Sequence, residues 1–188
     1  MDKQEITIRS HLDSHVFSDF SNFNAFQLHN RWLSLAAFPV LMLALSLVHY
    51  FTDNLFFFKL FLVLGFILPI GYLFFYFVSL RRQIQVNQLT TPRLAYTVTL
   101  SYSGIHVATE TEQITYRWDQ IYRVYVRNNA TYVYITRARA FLLPNSDLPS
   151  GTSQNALVAL IHRYLNPIRM FDKRSSHLKK RGDVHEAI

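Results

Sequence analysis

The sequence lacks cysteine altogether. This absence excludes disulfide bonds, thiolate zinc sites and cysteine nucleophiles, and it suits a compartment in which thiols stay reduced. The sequence also lacks a glycine-rich phosphate loop, a G-x-S-x-G nucleophile motif, an H-E-x-x-H zinc motif and a set of paired carboxylates. Signatures of hydrolases, metalloenzymes and nucleotide-binding enzymes are therefore missing.

Charge is scarce in the middle of the chain. Besides its tyrosines, the segment 32–80 has only three ionisable side chains, those of His49, Asp53 and Lys59. Two apolar runs, 32–51 and 55–80, are each long enough to cross a bilayer as a helix. The short connection between them requires the two helices to be adjacent and antiparallel. The sequence therefore predicts a transmembrane hairpin.

Basic residues flank the apolar runs on one side only. Arg31 precedes the first run, Arg81 and Arg82 follow the second, and the connection between the runs carries Asp53 but no Lys or Arg. Cytoplasmic loops of membrane proteins are enriched in Lys and Arg. We therefore expect a multi-pass membrane protein with both termini in the cytoplasm.

Strand-like alternation dominates the region after the hairpin. Gly104 supplies the positive φ that a tight turn needs after the first strand, and Asn128-Asn129 is a second turn signal. Six short antiparallel strands are predicted, around residues 96–100, 105–107, 114–118, 124–126, 133–135 and 140–144. Trp118 is the largest side chain available to fill the interior, and its indole N–H then needs a hydrogen-bond partner.

An amphipathic helix follows the strands, over residues 154–165. Its apolar stripe and the stop signal at Pro167 indicate a helix that covers the open end of a curved sheet. This order predicts an α+β membrane protein, with a two-helix transmembrane hairpin and a small antiparallel β-barrel of the pleckstrin-homology (PH-like) plan, closed by a C-terminal helix.

The chain divides into five predicted segments. Residues 1–31 combine a short strand, "QEITIRSHL", with an amphipathic helix that carries a phenylalanine stripe. The other segments are the hairpin 32–80, a linker 81–92, the PH-like domain 93–171 and a basic tail 172–188.

Three short motifs suggest a family. They are Ser103-Gly104-Ile105, "YRWDQI" from Tyr116 to Ile121, and "AFLLP" before the final helix. With the overall layout, they make the chain resemble the YcxB-like bacterial membrane proteins, and this resemblance implies the bacterial inner (cell) membrane. The resemblance implies an N-terminal strand, a two-span hairpin and a PH-like C-terminal domain, and it implies no activity. Asn145 departs from the family pattern, in which a basic residue is expected after the proline.

The richest polar cluster is "SHLDSH", which contains His11, Asp13 and His15. These residue types can ligate a metal or take part in Ser/His/Asp catalysis, but both need further groups that converge from other elements. The sequence offers no partner cluster, so a turn between a strand and a helix is the better interpretation. We expect no catalytic residues, no metal site, no cofactor and no enzyme activity.

Positive charge is the stronger functional signal, because residues 81–188 contain 15 Lys or Arg and only 7 Asp or Glu, so the net positive charge of the chain lies after the hairpin. Alternation predicts that five residues face outward on the central hairpin of the β domain, namely Arg123, Tyr125, Arg127, Tyr132 and Tyr134. Arginine and tyrosine are enriched at binding hot spots. The basic tail adds Lys179, Lys180 and Arg181, which suit an anionic membrane surface.

The sequence therefore predicts a non-enzymatic integral membrane protein, embedded in the lipid bilayer, whose cytoplasmic domain binds a protein partner or an anionic lipid surface. Two alternatives remain open, an immunity protein that neutralises a toxin at the membrane and an accessory subunit of a transporter. Nucleic-acid binding is disfavoured, and homo-oligomerisation is left open.

Overall fold

A computed structural model describes residues 5–174. Its helices are α1 (Ser14–Asn22), α2 (Arg31–Phe51), α3 (Leu55–Val86) and α4 (Gln154–Tyr164). Its strands are β1 (Ile6–Leu12), β2 (Arg93–Ser101), β3 (Gly104–Ala108), β4 (Gln113–Tyr116), β5 (Arg123–Val126), β6 (Ala130–Tyr134), β7 (Ala140–Pro144) and β8 (Met170–Asp172). The described residues form two compact units, one of residues 17–90 and one that joins residues 5–16 to residues 91–174.

The helical unit contains the predicted hairpin. α2 and α3 are connected by residues 52–54 and are long and apolar enough to cross a membrane. α3 continues through Val86, into the segment predicted to be a linker. The reason is local: "RRQIQV" consists mostly of good helix formers without Gly or Pro, and the helix ends only where Gln88 adopts a positive φ of 54°.

The contacts between α2 and α3 are close and specific. A Cβ atom on Gly65 would lie 2.8 Å from the Cβ of Met42, so the glycine allows the helices to approach each other. Ser46 donates a hydrogen bond from its hydroxyl to the carbonyl of Phe58 at 2.9 Å. The ring of His49 stacks on that of Phe61, with centroids 5.3 Å apart.

The predicted amphipathic helix is present as α1 and a π-helical turn, Phe23–Leu28. Phe26 packs edge-on against the ring of Tyr76, and the Tyr76 hydroxyl donates a hydrogen bond to the side-chain oxygen of Asn22 at 2.9 Å. The phenylalanine-rich segment therefore lies along α3.

The β unit begins with the predicted N-terminal strand. β1 pairs antiparallel with β2, and the first sheet has the order β1-β2-β3-β4. Ile8, Val98 and Leu100 are completely buried in its inner face. Residues that precede the helical hairpin in sequence thus complete a sheet whose other strands follow it.

The second sheet has the order β7-β6-β5-β8. β5, β6 and β7 are antiparallel, as predicted, but β8 pairs in parallel with β5. β8 has only three residues, too few to show alternation in the sequence. α4 follows the cap residue Ser153. Four residues of its predicted apolar stripe, Leu157, Leu160, Ile161 and Leu165, are buried in the core of both sheets, whereas the fifth, Tyr164, is 36 % exposed.

The prediction of a closed barrel is wrong. Among residues 5–174 the strands form two separate four-stranded sheets. A barrel needs a continuous ladder of backbone hydrogen bonds, but here side chains join the two sheets. The backbone N–H of Leu142 in β7 donates to the hydroxyl of Tyr96 at 2.6 Å, and the Leu142 carbonyl accepts from Ser10 at 2.7 Å and from Tyr96 at 3.1 Å. These hydroxyls satisfy the backbone groups that a neighbouring strand would otherwise satisfy.

Tyr96→Phe should destabilise the β unit by about 1–3 kcal/mol, because the buried N–H of Leu142 loses its partner. Urea-dependent pulse proteolysis of the detergent-solubilised full chain measures the change. Tyr116→Phe is the matched control, since both rings pack on Phe141 but the Tyr116 hydroxyl has no hydrogen bond within residues 5–174. Equal urea midpoints for the two variants would contradict the proposed role of Tyr96.

The same hydroxyl adds a pH dependence. Burial raises the pKa of Tyr96 to about 12, above its ordinary value of 10.0. The neutral hydroxyl therefore contributes its full stability below pH 10, and that contribution is lost as the pH rises toward 12. Tyr96→Phe should lack this component of alkaline destabilisation.

Candidate interaction surface

The three tyrosines that were predicted to be exposed are buried. Only 5 %, 2 % and 1 % of Tyr125, Tyr132 and Tyr134 are exposed. The alternation itself is correct, because their neighbours Val124 and Val133 point into the core. The prediction was wrong because it took the outer face of the second sheet to be open to solvent. That face is buried as well.

β8 explains part of this burial. It places the ring of Phe171 parallel to that of Tyr125, with centroids 5.1 Å apart, and Tyr134 packs edge-on against Tyr125 at 5.5 Å. Burial also raises the pKa of Tyr134, with Tyr125 and Tyr132 contributing. The tyrosines thus form an aromatic layer on the outer face of the sheet. They are shielded from solvent, contrary to the prediction that they are exposed.

Arg123 is half-buried at the edge of this layer. Its guanidinium group donates to the Tyr125 hydroxyl at 3.3 Å and lies over the rings of Tyr122 and Phe171, at 5.1 and 5.3 Å from their centroids. The hydrogen bond to Tyr125 raises the pKa of Arg123. The side chain therefore carries a fixed positive charge, held in place by aromatic rings.

Arg127 lies at the other end of β5 from Arg123. Three residues lie between them, and the four steps along the extended chain separate the two by about 13 Å, so they do not form a single basic cluster. Arg123 pairs with Tyr134, and Tyr134 pairs with Ala140, so the β6–β7 turn lies at the Arg123 end. That turn carries the exposed Arg137 and Arg139. We call Arg123, Arg137 and Arg139 the basic end of the second sheet.

The predicted Asn128-Asn129 turn is present, but neither asparagine has the positive φ that motivated the prediction. Asn145 holds the turn instead. Its side-chain nitrogen donates to the carbonyl of Asn128 at 2.7 Å, and its backbone N–H donates to that of Asn129 at 2.9 Å. Asn145 therefore has a structural role at the position where the family resemblance implied a basic residue.

Lys179, Lys180 and Arg181 lie outside the described residues, so their predicted contact with anionic lipid stays a prediction. The described part of the β unit is itself basic. Residues 91–174 contain ten Lys or Arg and five Asp or Glu. The excess of positive charge after the hairpin therefore does not depend on the tail alone.

A row of hydrogen-bonded polar side chains on the first sheet, Ser103, His106 and Thr115, was not predicted from the sequence. The hydroxyl of Ser103 lies 3.3 Å from Nε2 of His106, and Nδ1 of His106 lies 2.7 Å from the hydroxyl of Thr115. His106 and Thr115 are register partners in β3 and β4, so the hairpin register is the signal that identifies the pair. This row of three side chains is exposed and contains no carboxylate to orient the imidazole, in contrast to a catalytic triad.

The "SHLDSH" segment forms the turn that the sequence favoured. His11 lies at the end of β1, where its backbone N–H donates to Asp147 and its ring lies 3.5 Å from the same carboxylate. Asp13 accepts a hydrogen bond from the backbone N–H of Val16 at 2.7 Å, in the first turn of α1. Within residues 5–174, no three His, Asp or Glu side chains are arranged to hold a metal ion.

The structure thus defines an α+β protein with two long apolar helices and a domain of two sheets that are mainly antiparallel. The YcxB-like protein family matches residues 101–161, which span the end of β2, the strands β3–β7 and most of α4. The resemblance to this family is therefore confirmed for about a third of the chain, and the helical hairpin lies outside the match. No curated protein and no solved structure matches the chain.

Proposed function

We propose that this is a non-enzymatic two-span membrane protein whose two-sheet domain, a variant of the PH-like plan, binds an acidic protein or lipid surface at the cytoplasmic face of the bacterial inner membrane. The exposure of the hairpin carries the proposal. Only 6 % of the most apolar stretch of α2, and of α3, is buried. A core helix of a soluble protein is mostly buried, so these surfaces suit a lipid environment.

Charge supports the proposed orientation. Arg31 begins α2, and Arg81 and Arg82 lie in the last turns of α3, so the arginines of the hairpin lie at one end. Lys59, one turn inside α3 at the other end, is the exception, and its long side chain can extend back to the interface. The opposite end carries Asp53. The positive-inside tendency places the basic end, and with it both termini and the β unit, in the cytoplasm.

The basic end of the second sheet is the favoured contact surface. Arg137 and Arg139 are exposed on a short turn, and Arg123 is fixed beside it by aromatic contacts. A fixed guanidinium group loses less side-chain freedom when it binds a carboxylate or a phosphate.

Replacing Arg137 and Arg139 together by Gln should weaken binding to acidic surfaces, by roughly tenfold or more at about 1 kcal/mol for each charge removed. Flotation with phosphatidylglycerol vesicles measures the lipid contribution, and co-purification from native membranes measures the protein contribution. The lipid contribution should fall steeply as salt rises, because exposed charges are screened within about 8 Å at physiological ionic strength.

A matched control removes the same charge elsewhere. Arg9 and Arg163 are exposed and lie outside the β6–β7 turn and the basic tail, so the double Gln variant at these positions should retain most of the binding. Equal losses in both double variants would show that net charge, and not this surface, determines binding.

The topology is tested separately with alkaline phosphatase fused after Ile188, which should stay inactive. An active fusion would overturn the proposed orientation.

A further inference from the structure

A groove runs between α2 and α3 at the basic end of the hairpin. It encloses about 260 Å³. Leu35 and Phe38 from α2 and Leu68 and Pro69 from α3 form its walls, and Arg31 and Tyr72 also line it. The groove is thus an apolar slot with a cationic group beside it.

The sequence explains why the two helices leave this space. Gly65 brings α3 against α2 at Met42, and a Cβ at that glycine would lie 3.9 Å from Cα of Pro39. About one turn further toward Arg31, α3 carries Pro69, whose ring disturbs the regular helix. The close approach at Gly65 therefore gives way to a groove that no side chain of the hairpin fills.

Arg31 is oriented but not saturated. One guanidinium nitrogen, Nη1, donates to the Tyr72 hydroxyl at 2.9 Å. Within the part of the chain that the structure describes, the side chain makes no other hydrogen bond and no ion pair. The remaining N–H groups, on a planar fork that suits phosphate oxygens, are thus left for a ligand.

The length of α2 places Arg31 at the level of lipid headgroups. Its 21 residues measure about 30 Å, which is the thickness of the hydrocarbon core. When Phe51 lies at one interface, Arg31 lies at the other. An apolar slot that begins at a cation of this depth matches the chemistry of a phospholipid, with an acyl chain below a phosphate.

We propose that this groove binds a single anionic phospholipid, with part of an acyl chain between Phe38 and Leu68 and the phosphate on Arg31. The inference rests on the proposed membrane insertion. The charge of Arg31 favours an anionic headgroup over a zwitterionic one, and the apolar walls require a chain, so a free phosphate satisfies only half of the site.

Native mass spectrometry of the delipidated full chain, titrated with phosphatidylglycerol or phosphatidylcholine, tests the proposal. One phosphatidylglycerol molecule should bind first and more tightly than phosphatidylcholine. Arg31→Gln should raise its dissociation constant roughly tenfold or more, the size of a lost charge-assisted hydrogen bond. Arg82→Gln, at an exposed arginine of the same end of the hairpin that does not line the groove, should change it little.

A second pair of variants tests the acyl-chain part of the site. Ser34 lines the groove and is exposed, so Ser34→Phe should fill the groove and weaken the binding of both lipids while Arg31 is kept. Ser79→Phe, at an exposed serine on α3 outside the groove, is the control. Inorganic phosphate alone should not compete with phosphatidylglycerol.

Three outcomes would overturn the site: equal effects of Arg31→Gln and Arg82→Gln, equal effects of Ser34→Phe and Ser79→Phe, or equal affinity for the two lipids. Extraction of native membranes with alkaline carbonate separates this failure from failure of the proposed function. A chain released by carbonate is not inserted, which overturns both. A chain that stays in the membrane while Arg31→Gln binds normally overturns the groove alone.

Discussion

Trp118→Ala is expected to destabilise the β unit by about 3–5 kcal/mol, the range for large aromatic truncations in cores. Trp118 is only 9 % exposed and belongs to the core cluster between the two sheets. Its indole N–H donates to the carbonyl of Ser101 at 3.0 Å, and its ring stacks on that of Tyr164 with centroids 5.8 Å apart. One side chain thus contacts the end of β2 and the last turn of α4.

The position of Trp118 makes this cost large. It begins the 3-10 turn Trp118–Gln120, which connects the two sheets between β4 and β5. Alanine would leave a cavity at this junction and would leave the buried carbonyl of Ser101 without the indole partner. Since small domains are stable by only about 5–15 kcal/mol, the variant would lose a large fraction of its stability.

Pulse proteolysis of the full chain in detergent, with increasing urea, measures the effect on the β unit. Trp32→Ala is the matched control, because Trp32 is 57 % exposed on α2 and belongs to the helical unit. Trp118→Phe should give an intermediate value, since it keeps a ring but loses the indole donor. A Trp118→Ala variant that resists urea as well as Trp32→Ala does would show that the core does not depend on this residue.

Trp118 was predictable because its signal is local. It is the largest apolar residue of its segment, and the structure confirms both its burial and its indole hydrogen bond. The strand "AFLLP" and the helix from Gln154 were predictable for the same reason, since each combines a clear periodicity with a stop or cap signal. Alternation likewise identified Val124 and Val133 as core residues.

What the sequence did not predict depends on contacts between distant segments. The burial of Tyr125 depends on Phe171, more than forty residues later in the chain, and alternation within one strand carries no information about a second layer outside the sheet. The connection between the two sheets depends on Tyr96 and Ser10, whose hydroxyls bond to Leu142 across the junction. Both side chains look in the sequence like ordinary strand residues.

The candidate sites also combine features that the sequence shows locally with features that depend on contacts between distant segments. The basic character of the β unit follows from composition, but the register of β5, β6 and β7 was needed to place Arg123 and the β6–β7 turn at one end of the sheet. The groove beside Arg31 needed the packing of two helices around Gly65. The sequence showed where the charges are, and the pairing of elements showed which charges lie together.

Gly104→Ala should also destabilise the β unit strongly, by about 2–6 kcal/mol. Gly104 has a φ of +147°, a conformation that residues with a Cβ rarely adopt and that costs about 1–3 kcal/mol. In addition, a Cβ at this position would lie 2.2 Å from the carbonyl oxygen of Tyr116, and the strain of such overpacking typically adds about 1–3 kcal/mol. The two costs have different origins and can be separated.

Gly151→Ala separates them, because Gly151 also has a positive φ, +87°, but a Cβ there would meet no atom within 4 Å. This control should show only the conformational cost, so the difference between the two urea midpoints reports the close approach of Gly104 to β4. β4 is the edge strand of its sheet, and the hairpin register pairs Ile105 with Tyr116. If the two variants were equally stable, β4 would have moved away to accommodate the methyl group. That movement would also separate His106 from Thr115 and break their 2.7 Å hydrogen bond. The NMR signals of the imidazole report this bond. Its loss in Gly104→Ala would show that β4 is an adaptable edge strand, and its retention would show that β4 is rigid.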